Sequence, residues 1–200
     1  MMDKMRRLIT VTAAGCLLTG LSGCASTASH IDSAAELARQ AGDPAATVVF
    51  GRFELLRNGH AADFGNGNFA SSATLNLTAS GSATPVVGHI GRNGEFAWLL
   101  EPGTYQVTSI GFRYHGQKIE PSTGFTFTVP EGYRSSYVGT ITLETSFDRG
   151  LLGTRARVDR YLIDDDCAAV CETRLTRLGL TADGSTRALF SWDQSLAAAE

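Results

Sequence analysis

Catalytic signatures and basic charge are scarce in this chain. Its four histidines, His30, His60, His89 and His115, are scattered, and none falls in an HxH or HExxH spacing that would aim two ring nitrogens at one metal. No Gly-x-Ser-x-Gly segment offers the nucleophile elbow of an α/β-hydrolase, and there is no P-loop. Gly65-Asn66-Gly67-Asn68-Phe69-Ala70 spells GxGxxA. Dinucleotide binding needs a strand before that motif and a helix after it, and neither is legible. These gaps argue against an enzyme and for no cofactor and no metal. The 17 basic side chains are outnumbered by 20 acidic ones. Nucleic acids call for a basic face, so a nucleic-acid partner is excluded.

Three of the 17 basic side chains open the chain. Lys4, Arg6 and Arg7 precede an uncharged, mostly apolar stretch from Leu8 to Leu21. That stretch is short for a bilayer span of about 20 residues and has the layout of a secretory signal. It ends in Leu21-Ser22-Gly23-Cys24, which resembles the lipobox of bacterial lipoproteins. Small side chains at Ser22 and Gly23 give a membrane peptidase access to the bond. The resemblance implies removal of residues 1–23, a diacylglyceryl group on the Cys24 thiol and a third, amide-linked acyl chain (palmitate-type anchoring). Two or more acyl chains hold a protein stably where one does not. Ala25 at the next position, rather than Asp, implies sorting to the outer membrane rather than inner-membrane retention. The domain then lies in the periplasm or at the cell surface. Without the leader's three basic residues and Asp3, 14 basic and 19 acidic side chains remain, a net charge of −5.

Cysteine is scarce too. Beyond Cys16, inside the leader, and Cys24, only Cys167 and Cys171 remain. An exported compartment favours a disulfide between them. In a regular helix, residues four apart have Cα atoms about 6 Å apart, near the upper end of the disulfide range. The expectation is therefore a bond with local distortion, or else two buried thiols.

Residues 24–46 read as a tether. Ser33 and Glu36 have capping-box spacing before a short helix, which Gly42-Asp43-Pro44 ends. From residue 47 onward the pattern is strands. Leu75 and Leu77, then Phe96, Trp98 and Leu100, then Tyr105 and Val107, then Phe125, Phe127 and Val129 alternate with polar or small residues. Tyr137, Gly139, Ile141 and Leu143 follow the same period. Residues 63–72, rich in Gly and Asn, read as a loop. Near the end, Cys167, Cys171, Arg174 or Leu175, and Leu178 form one stripe of a helix at about 165–178. Asp164-Asp165-Asp166 before it reads as a solvated cap rather than a calcium site.

The expected fold is mainly β: an antiparallel Ig-like or prealbumin-like sandwich over residues 47–200, with one short helix near the C-terminus. The run Gly94-x-Phe96-x-Trp98-x-Leu100-x-Pro102-Gly103-x-Tyr105-x-Val107 resembles the carboxypeptidase regulatory-like, or transthyretin-like, modules. Those modules join a Gly–aromatic strand to a Tyr-bearing strand through a Pro-Gly turn. The resemblance implies a domain that stabilises, presents or binds. The functional expectation is a non-enzymatic cell-envelope lipoprotein, held to the membrane through Cys24, with a structural or binding role. The alternative is a recognition module for peptidoglycan, polysaccharide or an envelope protein, and an enzyme ranks below both. Trp98 is expected in the core, Tyr137 at a tyrosine corner and Tyr133 exposed. Recognition is expected from loops 58–72, 115–124 and 130–136.

Overall fold

The computed structural model describes residues 26–62, 69–114, 117–150 and 153–192. Residues 1–23, read above as a leader, Cys24, Ala25, positions 65–68 of the GxGxxA run, and His115 with Gly116 lie outside the described residues. In chain order the elements are β1 (Ser26–Ala28), α1 (Ala34–Gln40), β2 (Thr47–Arg57), β3 (His60–Ala61), β4 (Phe69–Ala79), β5 (Pro85–His89), β6 (Glu95–Leu100), β7 (Gly103–Tyr114), β8 (Gln117–Ile119), β9 (Ser122–Val129), β10 (Ser135–Gly150), β11 (Gly153–Asp164), α2 (Cys167–Leu178), β12 (Ser185–Arg187) and β13 (Ser191–Trp192).

The described strands form two mixed sheets and no barrel. The first runs β1-β5-β4-β7-β9-β13, with β8 also on β7. The second runs β11-β10-β2-β3, with β12 also on β10 and β6 also on β2. Period-2 alternation decides what each strand buries. Val49, Phe53 and Leu55 of β2, Phe96, Trp98 and Leu100 of β6, and Ile141 and Leu143 of β10 point from the second sheet into a shared core. Leu75, Leu77, Tyr105, Val107, Ile110, Phe125, Phe127 and Val129 meet them from the first. The intervening residues of the second sheet, Val48, Phe50, Ala97 and Tyr137, face the other way. They join Ile31, Cys171, Leu175 and Leu178 in a smaller core beneath α2. Each fully buried large apolar side chain contributes roughly 1.5–3 kcal/mol, so the inter-sheet layer dominates the stability.

Several expectations need correction. The sheets are not purely antiparallel: β2 pairs parallel with β10, β10 with β12, and β1 with β5. Parallel neighbours need a long return connection. Here the chain between β2 and β10 supplies it by crossing into the other sheet, with no helix among the described residues. The loop expected over 63–72 ends earlier, because β4 starts at Phe69 and pairs with the far end of β7. Likewise β8 and the start of β9 occupy part of the expected 115–124 loop. Residues 26–31 are not a free tether. β1 aligns Ser26 with Val86, the Ile31 side chain is fully enclosed, and Ile31 N–H donates to the Ala97 carbonyl at 3.0 Å.

Tyr137 does not share a face with Ile141. The β2–β10 register shifts between Tyr137 and Thr140, and Gly139 takes a left-handed φ of 101°. The extra residue of this bulge turns Tyr137 to the α2 side while Val138 stays in the inter-sheet core. The tyrosine-corner contact belongs instead to Tyr105, whose hydroxyl donates to the Glu101 carbonyl four residues upstream at 3.0 Å.

Candidate functional site on the α2 face of the second sheet

α2 carries its apolar stripe down one side: Cys171, Arg174, Leu175 and Leu178 are buried. Three polar ties hold that helix and the N-terminal segment to the sheet. At its start, Tyr137 OH donates to Asp166 Oδ1, and Thr140 Oγ1 donates to the same oxygen at 2.8 Å. Burial, followed by the Asp166 carboxylate, pushes the Tyr137 phenol well above the ordinary tyrosine range. Tyr137 is thus a permanent donor. Asp166 is the N-cap position, yet its side chain makes no capping bond. The reading of the three aspartates as a solvated cap needs correction at Asp166. Asp166 is spent on the sheet, while Asp165 accepts from Cys167 N–H at 3.3 Å and pairs with Arg187 at 3.2 Å.

At the middle of α2, Arg174 is only 4 % exposed. Its Nη1 meets Glu95 of β6 at 2.9 Å, and its Nη2 donates to the Ile31 carbonyl at 2.9 Å. Arg177 reaches the same Glu95 oxygen at 2.8 Å. Burial lowers the Arg174 pKa, opposed by Glu95. A buried charge needs such a partner, because an isolated one is costly.

The third tie is His30. Its Nδ1 accepts from Ala97 N–H at 3.3 Å, and its Nε2 lies 2.7 Å from Asp32 Oδ1. Only the neutral ring protonated at Nε2 satisfies both bonds. Burial lowers the His30 pKa, and this outweighs the upward pull of Asp32.

Between α2 and the segment leading into β12 lies a groove of about 750 Å³. Phe50 and Tyr137 form its floor, Cys167, Cys171 and Leu175 one wall, and Leu180 and Ala182 the other, with Glu172 and Arg187 among the lining residues. Cys167 and Cys171 are joined by a disulfide, their Cα atoms 4.8 Å apart. That is closer than the about 6 Å of a regular helical i,i+4 pair. A second hollow, of about 910 Å³, shares Leu180 and is lined by Leu37, Pro44, Leu99, Pro102 and Tyr133. Such volumes suit a small ligand or a short peptide or glycan segment.

The residues singled out in the sequence are dispersed. Trp98 is in the core, where its Nε1–H donates to the His89 carbonyl at 2.7 Å and its ring stacks on Phe96. Tyr133 is 43 % exposed. His60, His89 and His30 do not converge. Among the described residues, no three His, Cys, Asp or Glu side chains are grouped to hold a metal ion. The described parts of the expected recognition loops also fail to meet. Those at 58–62 and 117–124 lie toward one end of the sheets and 130–134 at the other, while Ser135 and Ser136 are buried in β10. Sequence reasoning missed the His30–Glu95–Arg174 arrangement. Its one advance signal was an arginine on the apolar stripe of α2. Among the described residues no helix is long and apolar enough to cross a membrane. No family model, no curated protein and no solved structure matches this chain.

Proposed function

We propose that this protein is a non-enzymatic cell-envelope lipoprotein, anchored by acyl chains on Cys24, most consistent with sorting to the outer membrane. Its two-sheet body is in this reading an Ig-like or prealbumin-like sandwich with a helix packed on its outer face. One observation supports the non-enzymatic part: three titratable groups on the α2 face are spent on holding elements together. Asp166 is occupied by Tyr137 and Thr140, Glu95 by Arg174 and Arg177, and His30 by Ala97 and Asp32. Catalysis needs such groups aimed at a substrate. The anchor is tested by Cys24→Ala. The variant is expected to leave the membrane pellet and to lose acyl label. A variant that stays in the pellet in high salt and still carries label sinks the lipoprotein reading.

The α2–β12 groove favours a second reading, recognition of peptidoglycan, polysaccharide or an envelope protein. Its floor is aromatic and apolar, and it carries one charge of each sign. Thr176, exposed on the helix side of the groove, is the place to block it. Thermal shifts with muropeptides and glycan fragments are expected for the natural chain and lost in Thr176→Trp. Shifts that survive the substitution place recognition elsewhere.

A further inference from the structure

We propose that the end of the body from which β1 starts rests directly on the lipid headgroups, so that the protein sits on its membrane in one fixed orientation. The proposal rests on the reading that Cys24 carries the anchor. It goes beyond that reading by assigning the surface that faces the bilayer.

The argument begins with chain length. A flexible spacer of about 22 residues would have an end-to-end distance of about 25 Å, enough to let a domain tumble freely above the surface. The chain has no such spacer. Ser26 is already in β1, aligned with Val86, and its Oγ donates to the Pro85 carbonyl at 3.5 Å. Two residue steps separate its Cα from that of Cys24, a reach of at most about 7 Å. The acyl chains are therefore confined next to Pro85.

Strand register then says what else lies at that end. Pro85 is opposite Thr78, Ala79 is opposite Tyr105, and Gly103 is opposite Val129. In the second sheet, Thr47 is opposite Leu100 and Val48 opposite Ser135. The turns at 80–84, 101–102 and 130–134 thus cluster around the anchor. With them come exposed Tyr133, a residue type that suits a headgroup interface, and the hollow beside it. Glu101 and Glu131 outnumber Arg134 in these turns, so charge does not pull this end onto anionic lipid. The short tether holds it there. The opposite end carries Arg92, the β2–β3 turn and the far end of the β10–β11 hairpin. At about 3.3 Å per residue, the nine steps from Ala83 through β5 to Arg92 span at most roughly 30 Å. The two ends are well separated in height above the bilayer.

The test uses the full lipidated protein in vesicles of phosphatidylethanolamine and phosphatidylglycerol that carry a headgroup-bound quencher. A fluorophore is placed on Ala83→Cys or on Arg92→Cys. Both positions are exposed, and Cys167 and Cys171 are already bonded. The Ala83 probe is expected to be quenched several-fold more than the Arg92 probe, in low and high salt alike. A flexible Gly-Ser insert between Ala25 and Ser26 is expected to erase the contrast while the protein stays in the pellet. Equal quenching of the two probes without the insert, or stronger quenching at Arg92, overturns the proposal, as does a contrast that survives the insert. Intact mass on the same sample separates the two failures. An acylated Cys24 with equal quenching rejects the orientation alone, whereas an unacylated Cys24 rejects the anchor and the orientation with it.

Discussion

Gly51 lies opposite Phe96 in the β2–β6 register. A Cβ there would sit 2.5 Å from the Gly139 carbonyl oxygen and 2.6 Å from Phe96 Cζ. The oxygen belongs to the bulge and the ring is stacked on Trp98, so neither has room to yield. Gly51→Ala is expected to destabilise the fold by about 3 kcal/mol, at the upper end of typical overpacking costs. Gly42→Ala meets nothing within 4 Å and is expected to stay within about 0.5 kcal/mol. Urea unfolding of the two variants decides it, and equal midpoints would remove close packing as the constraint. In the sequence, Gly51 is one small residue inside a strand pattern. The ring that makes it obligatory comes from a strand 45 residues later.

At the scale of elements, the N-terminal segment, β6 and α2 are coupled through His30 and Arg174, and pH reads that coupling. In the folded chain the His30 pKa is lowered, first by burial, relative to about 6.5 when unfolded. The native state therefore binds the proton less readily than the unfolded chain. The stabilising contribution is fully present above pH 6.5 and is lost as pH falls through that value toward the lowered one. A protonated Nδ1 would also point a hydrogen at Ala97 N–H. The melting temperature is expected to decline between pH 7 and 5, and His30→Asn, which has an acceptor but does not titrate, is expected to flatten that decline. Identical slopes would exclude His30. Glu120, Glu144 and Asp159 have pKa values lowered by hydrogen bonds to their partners, so their losses come in the carboxylate range below this window. The helix stripe from Cys167 to Leu178 and the aromatic alternation of β6, β7 and β9 were legible because each period has one chemical meaning. The face of Tyr137 was not, since one bulge residue reverses a period of two.

At the scale of the whole molecule, residues 26–32 close the structure rather than precede it. They add β1 to the edge of the first sheet, place Ile31 in the core beneath α2 and give Arg174 its carbonyl partner. Losing a buried aliphatic side chain alone costs about 2–5 kcal/mol. A chain that starts at Ser33 is therefore expected to lose at least about 3 kcal/mol against one that starts at Ser26, measured by denaturant unfolding. Equal stability would restore these residues to the status of a spacer.

By itself the sequence determined the predominance of strands, the core aromatics Phe96, Trp98, Phe125 and Phe127, and the C-terminal helix with its cysteine pair. All of these are local: a period of two or 3.6 is complete within a dozen residues. Only the tertiary structure decided the parallel pairing of β2 with β10, the incorporation of residues 26–31, the outward turn of Tyr137 and the meeting of His30, Glu95 and Arg174. Each of these depends on which distant segments become neighbours. A segment of small and polar residues such as 26–32 carries no periodicity of its own. Its place was set by the edge of β5, the carbonyl of Ala97 and the guanidinium of Arg174, which lie between about 60 and 140 residues away in the chain.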